Sequence, residues 1–84
     1  MEVKRRDGTS GEFAREKIVV AVLKSGGALD LARSVASEVE ASFSGRDAVT
    51  TEEIRAAVLS RLQTRAPEVY NGWVAYDKEK KGRQ

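Results

Sequence analysis

The segment from Leu29 to Phe43 carries an apolar stripe with the spacing of an α-helix. The stripe repeats at i, i+3 and i+4, and charged residues occupy the opposite face. Its members are Ala32, Val35, Ala36, Val39 and Phe43. Several of these side chains are small, so a neighbouring element can pack closely against them. Because a helix with one apolar face must be covered, the chain has to build its core around this segment.

Three further helices are predicted around this segment. The first spans residues 14–24, where apolar residues recur at helical spacing. Another begins at Thr50 and runs to about residue 64, and Thr50 and Glu53 have the spacing of a capping box. The last begins near Pro67, because proline suits the first turn of a helix. The sequence therefore predicts about four helices.

The amino-terminal segment is predicted to form a β-hairpin. Val3 to Arg6 alternate as in a strand, and Asp7-Gly8 is a favoured turn because glycine accepts a positive φ. The return strand is expected to end near Phe13, and residues 48–50 are predicted to form a short third strand. A hairpin is not stable alone and must lie on the helices. We expect a small α+β fold, with residues 1–84 as one domain and residues 78–84 as its frayed polar tail.

Positive charge is concentrated at the two ends of the chain. The net charge of the 84 residues is only +2. Basic residues nevertheless crowd residues 4–6, and a second group comprises Lys78, Lys80, Lys81 and Arg83. Local positive potential of this kind favours an anionic partner. Nucleotide phosphates, a nucleic acid and an acidic protein are all candidates.

Several functional classes are excluded by the residue types that the chain lacks. It contains no cysteine and no histidine, which excludes disulfides, the usual zinc sites, thiol nucleophiles and Ser-His-Asp catalysis. No glycine-rich phosphate loop ending in Gly-Lys-Ser/Thr is present. We therefore expect a binding domain and not an enzyme. The lack of cysteine also fits a cytoplasmic protein, and no apolar run suits a signal peptide or a membrane span.

Four short strings match the sequence pattern of one known domain family. They are Val3–Gly8, Glu12–Ile18, Val49–Arg55 and Trp73–Tyr76. The first contains a basic pair before Asp-Gly, the second ends in Lys-Ile, the third contains Val-Thr-Thr before an Ile, and the fourth has two aromatic residues three apart. In this order and at these distances, they resemble the ATP-cone family over essentially the whole chain. ATP-cones are regulatory modules of ribonucleotide reductases and of a repressor of reductase genes.

The resemblance implies a fold and a function. The implied fold is a bundle of helices capped by a three-stranded sheet, with the nucleotide between the sheet and the helices. The implied function is binding of ATP or dATP, with or without magnesium, as an allosteric signal to a partner protein or to the domain's own oligomerisation. No reductase domain follows in this sequence, so we expect the regulated target in trans unless the domain comes from a longer chain.

The resemblance also implies which residues contact the nucleotide. Phosphate contacts are implied for Arg5 and Arg6 of the hairpin, for Lys17, and for Lys80 or a neighbouring basic residue after the last helix. Thr51 is implied to lie beside the adenine. Residues implied to complete the pocket are Val3, Ile18, Ile54 and Arg55. Arginine can hold phosphate oxygens in a bidentate way, and adenine needs an apolar wall with a few polar groups.

Three departures from the family pattern lead to a second hypothesis. The hairpin carries Arg5-Arg6 where Lys-Arg is usual, and Ala14 replaces a polar residue. Gly11 stands where an acidic residue is usual, unless a shifted turn places Glu12 there. The alternative function is a cone fold without a ligand that serves as a nucleic-acid or protein interaction domain.

Structural roles are also predicted for several residues whether or not a nucleotide binds. Thr51 can simply help to begin a helix, Ile54 can be both core and adenine wall, and Trp73 and Tyr76 are predicted core anchors of the last helix.

Overall fold

The computed structural model describes the backbone of residues 1–82 and the side chains of residues 1–78. In chain order the elements are β1 (Glu2–Lys4), β2 (Ser10–Glu12), α1 (Arg15–Lys24), α2 (Leu29–Ser42), β3 (Ala48–Thr50), α3 (Thr51–Arg65) and α4 (Pro67–Gly82). The described part of the chain therefore contains four helices and a three-stranded mixed sheet, which confirms the predicted α+β class. None of these helices is long and apolar enough to cross a membrane.

Most helix boundaries lie within about a residue of the sequence-based prediction. Helix α1 begins at Arg15, and its N-cap residue Ala14 makes no capping hydrogen bond through its side chain. Helix α2 ends at Ser42, one residue earlier than expected. Helical backbone in α4 continues to Gly82, past the start of the tail predicted at residue 78. Fraying of that tail stays a prediction, because residues 83 and 84 and the side chains from residue 79 lie outside the described part.

The sheet has the strand order β2-β1-β3. Strand β1 is antiparallel to β2 and parallel to β3, and Val3 is paired with Gly11 on one side and with Val49 on the other. Residues paired in this way point to the same face of a sheet. Val49 is only 1% exposed and belongs to the core, so this face, which we call the inner face, is turned toward the helices.

The hairpin loop spans residues 5–9 and is longer than an ideal two-residue turn. Strand alternation includes Arg5 and Arg6, but β1 ends at Lys4 and both arginines lie in the loop. The Arg5 N–H donates to the Thr9 carbonyl oxygen at 2.8 Å. Asp7 Oδ1 accepts hydrogen bonds from the Thr9 hydroxyl at 2.7 Å and from the Thr9 N–H at 3.0 Å, and these bonds lower the pKa of Asp7. The Asp7 turn therefore ends the strand early.

The hydrophobic core is formed by all four helices together with β3. Its buried side chains are Ile18, Val19, Val22, Ala32, Val35, Ala36, Val39, Phe43, Val49, Val58, Leu62, Ala66 and Val69. The apolar stripe of the 29–43 segment is thus buried in full, as predicted. Trp73 is half-buried and packs against the core. Tyr76 is 48% exposed, so its prediction as a core residue is wrong; it lines a cleft between α4 and α1.

The beginning of α3 is held by the predicted capping box. The Glu53 N–H donates to the Thr50 hydroxyl at 3.1 Å, and the Thr50 N–H donates to Glu53 Oε1 at 3.0 Å. Arg46 Nη1 also donates to Glu53 Oε2 at 2.6 Å. The hydrogen bond from Arg46, followed by that from the Thr50 N–H, lowers the pKa of Glu53 to about 2. Because Thr50 also pairs with Lys4 in the sheet, the capping box fixes the first turn of α3 beside the hairpin.

Candidate functional site

The guanidinium of Arg5 lies against the inner face of the sheet. A methyl group added at Gly11 would lie 2.7 Å from Arg5 Nη2, so the arginine occupies the space beside this glycine. Arg5 Nη1 is also 3.4 Å from the Thr9 hydroxyl. No carboxylate oxygen among the described side chains comes within 4.0 Å of the Arg5 guanidinium. Arg5 therefore forms no direct ion pair within the described part of the chain, although its charge, after the hydrogen bonds from Thr9, helps to lower the pKa of Asp7 in the same loop.

Arg6, the second member of the basic pair, has a different environment. Its Nε is 3.8 Å from Glu52 Oε1 in the first turn of α3, and both side chains are exposed. An exposed ion pair of this length contributes little to stability. The two arginines that the family pattern treats as a pair are therefore directed to different places, and Arg6 already has an anionic partner.

Helix α3 connects the hairpin to α4. The Thr51 hydroxyl donates to the Lys4 carbonyl oxygen at 3.3 Å. One turn later, Arg55 forms an ion pair with Asp77 of α4, and Asp77 Oδ2 is enclosed and accepts no hydrogen bond of regular geometry from the described residues. Ile54 between them is half-buried and packs against the core. Thr51 and Arg55 thus lie on one side of α3, since residues four apart share a helix face.

A cleft of about 280 Å³ separates α1 from α4. Its floor and walls mix apolar, aromatic and charged side chains, including Lys17, Ala21, Lys24, Trp73, Tyr76 and Asp77. At one end, α4 approaches the end of α1 so closely that a methyl group added at Gly72 would lie 2.4 Å from the Ser25 carbonyl oxygen. An aromatic wall beside lysine amines suits a ligand that carries both an apolar ring and negative charge.

Several of the sequence-predicted residues lie where two elements meet. Thr51 contacts the end of β1, Arg55 of the same helix contacts Asp77, and Asp77 lines the cleft together with Lys17. The hairpin, α3 and α4 are therefore joined by direct contacts, and Lys17 of α1 lines the same cleft as Asp77. Two apolar residues of the predicted pocket serve mainly as packing, because Ile18 is 6% exposed and Val3 packs against the core. The side chain of Lys80, also predicted to contact phosphates, lies outside the described residues.

Sequence reasoning did not identify Asp77 or Lys24 as neighbours of this region. Asp77 stands four residues after Trp73, so helical spacing alone would have placed both on the same side of α4. Lys24 stands seven residues after Lys17, which again puts the two on one face of a helix. That α1 and α4 face each other across a cleft is a tertiary feature for which the sequence gives no local signal.

A second depression, of about 460 Å³, lies between the amino terminus and the end of α2. It is larger, but its arginines are already paired: Arg15 lies 3.6 Å from Glu40, and Arg46 lies 2.6 Å from Glu53. Binding of an anion there would have to disrupt existing ion pairs. The charge distribution of this second depression therefore does not favour an anionic ligand there.

A model of the ATP cone domain matches residues 1–81, and a search of the curated proteins found no match. ATP cone domains bind ATP or dATP and act as regulatory modules without catalytic activity of their own. Because the match covers nearly the whole chain and the predicted helices and sheet are present, this protein belongs to the ATP-cone family of nucleotide-binding regulatory domains.

Proposed function

We propose that this domain binds ATP or dATP between the hairpin and the helices, and that binding changes its contacts with a partner protein or with a second copy of itself. The observation that carries the proposal is which arginines form ion pairs. Within residues 1–78, each of the seven other arginines lies within 4.0 Å of a carboxylate oxygen. Arg5, on the inner face, has no such partner among the described side chains.

A cation of this kind suits a triphosphate. Hydrogen bonds between arginine and phosphate are charge-assisted and can be bidentate. In the proposed complex, Arg5 and Lys17 contact the phosphates, while Thr51 and Ile54 contact the adenine. Arg55 is proposed to join them if phosphate competes with Asp77 for its guanidinium. Arg6 is proposed as an outer contact, since Glu52 must release it first.

The proposed location also suits regulation. A ligand bound there would bridge the hairpin loop and the helices, which the described contacts join through Thr51 and Asp77. Two arrangements of these elements with different nucleotide affinity are sufficient for an allosteric response. We propose that the response acts on a protein in trans or on self-association in the cytoplasm, and that the domain has no catalytic activity of its own.

Isothermal titration calorimetry with ATP, dATP and GTP, with and without magnesium, tests the binding step. We expect ATP or dATP to bind and GTP to bind far more weakly. Arg5→Ala and Thr51→Ala should each weaken binding, whereas Arg65→Ala removes the same charge at the other end of α3, where Arg65 pairs with Glu38. Equal loss in the Arg65 variant would show a general charge effect, and absence of binding by the unaltered domain would refute the proposal.

A second candidate function is a cone fold that contacts nucleic acid or protein without binding a nucleotide. The exposed Lys4 on the outer face of the sheet, together with the exposed Arg6, favours it. DNA binding would weaken steeply as salt concentration rises, because counterions are released on association. A salt-dependent mobility shift, combined with no heat on nucleotide titration, would favour this alternative over the first proposal.

A further inference from the structure

Gly11 and Arg5 occupy one small region of the inner face. Gly11 pairs with Val3 across the hairpin, and a side chain at position 11 would point toward the helices, as Val3 does. A methyl group there would lie 2.7 Å from Arg5 Nη2, 3.3 Å from Cζ and 3.4 Å from Nη1. The Nη2 end of the guanidinium would therefore collide with the first carbon of any other residue at position 11, and the rest of the group would lie in tight contact with it.

Hydrogen bonds fix the backbone of Arg5, so the point from which its side chain extends is fixed as well. The Arg5 N–H and carbonyl oxygen are both engaged within the loop, by the Thr9 carbonyl at 2.8 Å and the Gly8 N–H at 3.1 Å. The Asp7–Thr9 hydrogen bonds hold the same loop. The side chain thus leaves a fixed loop, and its distal end reaches the inner face beside Gly11.

We propose that Gly11 is a positioning residue: its missing side chain lets the Arg5 guanidinium lie on the inner face, where it contacts the phosphates of the bound nucleotide. This inference rests on the proposed function. It concerns a residue that contacts no ligand itself and acts only through Arg5. A side chain at position 11 would displace the distal end of a flexible arginine and not the backbone, so the fold should be kept while the cation moves away.

A double-mutant cycle on the full domain tests the coupling between the two residues. ATP affinity is measured by calorimetry for the unaltered domain, Arg5→Ala, Gly11→Ala and the double variant. We expect Arg5→Ala and Gly11→Ala each to weaken binding by about tenfold, the order of one charge-assisted hydrogen bond. The double variant should be no weaker than Arg5→Ala alone, because both changes remove the same contact.

Two controls separate positioning from a general disturbance of the hairpin. Ser10→Ala changes the neighbouring residue on the outer face, opposite Lys4, and should leave ATP affinity unchanged. The thermal midpoint of each variant is measured. Arg5→Lys keeps the charge but moves the cation out of the space beside Gly11 without a side chain at position 11; it should also weaken binding, and it serves as a second variant if Gly11→Ala fails to fold. The NMR signal of the Arg5 Nε–H group, assigned with the Arg5 variant, should shift in Gly11→Ala and stay in place in Ser10→Ala.

The outcomes distinguish this inference from the function on which it rests. If the unaltered domain binds ATP, but Gly11→Ala binds equally well or its effect adds to that of Arg5→Ala, the inference is overturned and the proposed function stands. If the unaltered domain binds no adenine nucleotide, the proposed function fails, and with it the phosphate role of Arg5. In that case the Nε–H signal still shows whether Gly11 positions the guanidinium.

Discussion

Gly72 is the residue that sets how closely α4 approaches α1. A methyl group at this position would lie 2.4 Å from the Ser25 carbonyl oxygen and 3.3 Å from the Ser25 carbonyl carbon. Both atoms belong to the backbone, so no side-chain rotation can relieve the collision. Ordinary contact between such atoms is about 3.5 Å, so Gly72→Ala must separate the two helices locally by about 1 Å.

The expected cost follows from two opposing effects. Overpacking in a well-packed region costs about 1–3 kcal/mol, and a collision with backbone belongs at the upper end of that range. Replacing glycine by alanine inside a helix stabilises the folded state by about 1 kcal/mol through helix propensity. The free energy of unfolding should therefore fall by about 2 kcal/mol, which for a domain of this size lowers Tm by roughly 8–16 °C.

Urea and thermal unfolding followed by circular dichroism measure this change. The matched control is Asn71→Ala, an exposed position next to Gly72 on the same helix, where only helix propensity changes and stability should be equal or slightly higher. If Gly72→Ala is as stable as Asn71→Ala, the close approach of α4 to α1 at Gly72 does not constrain the fold, which would refute this reasoning.

Three further predictions concern the first turn of α3 and its contact with α4. Thr50→Ala removes the cap and should lower the free energy of unfolding by about 1 kcal/mol in urea denaturation. The pKa of Glu53 is lowered from 4.5 to about 2, so its contribution to stability is complete above pH 4.5 and is lost as pH falls toward 2. Urea midpoints across this range should fall less in Glu53→Gln than in the unaltered domain, and equal slopes would contradict the assignment. Asp77→Asn removes a negative charge from the cleft and releases Arg55. ATP should therefore bind several-fold more tightly in calorimetry, since one partly screened charge contributes on the order of 1 kcal/mol. Weaker binding would contradict this reasoning.

Local sequence patterns predicted most of the fold, because each pattern involves residues that are close together in the chain. The apolar stripe of α2 repeats at helical spacing, and all five of its members are buried. The Thr50–Glu53 box depends on residues three apart, and both of its hydrogen bonds are present. Strand β1 is shorter than predicted because the Asp7–Thr9 hydrogen bonds compete with strand pairing. The alternation of residues along a strand does not reveal this competition.

Nucleotide binding by the predicted site residues stays a prediction. Their positions in the structure show that ion pairing was the feature that the sequence could not predict. The family pattern treats Arg5 and Arg6 alike, yet one guanidinium lies beside Gly11 and the other lies 3.8 Å from Glu52. Whether a surface cation is neutralised depends on carboxylates that are distant in sequence. The pairing of Arg55 with Asp77 across two helices is of the same kind.

The sequence by itself determined the element order, the helix that organises the core and the family to which the chain belongs, because periodicity, capping and motif spacing are properties of contiguous residues. Only the tertiary structure decided which face of the sheet meets the helices, which arginine keeps its charge unpaired among the described side chains, and that α1 and α4 enclose a cleft. These features arise where segments far apart in the chain come within a few ångströms, and they depend on packing and charge pairing between those segments.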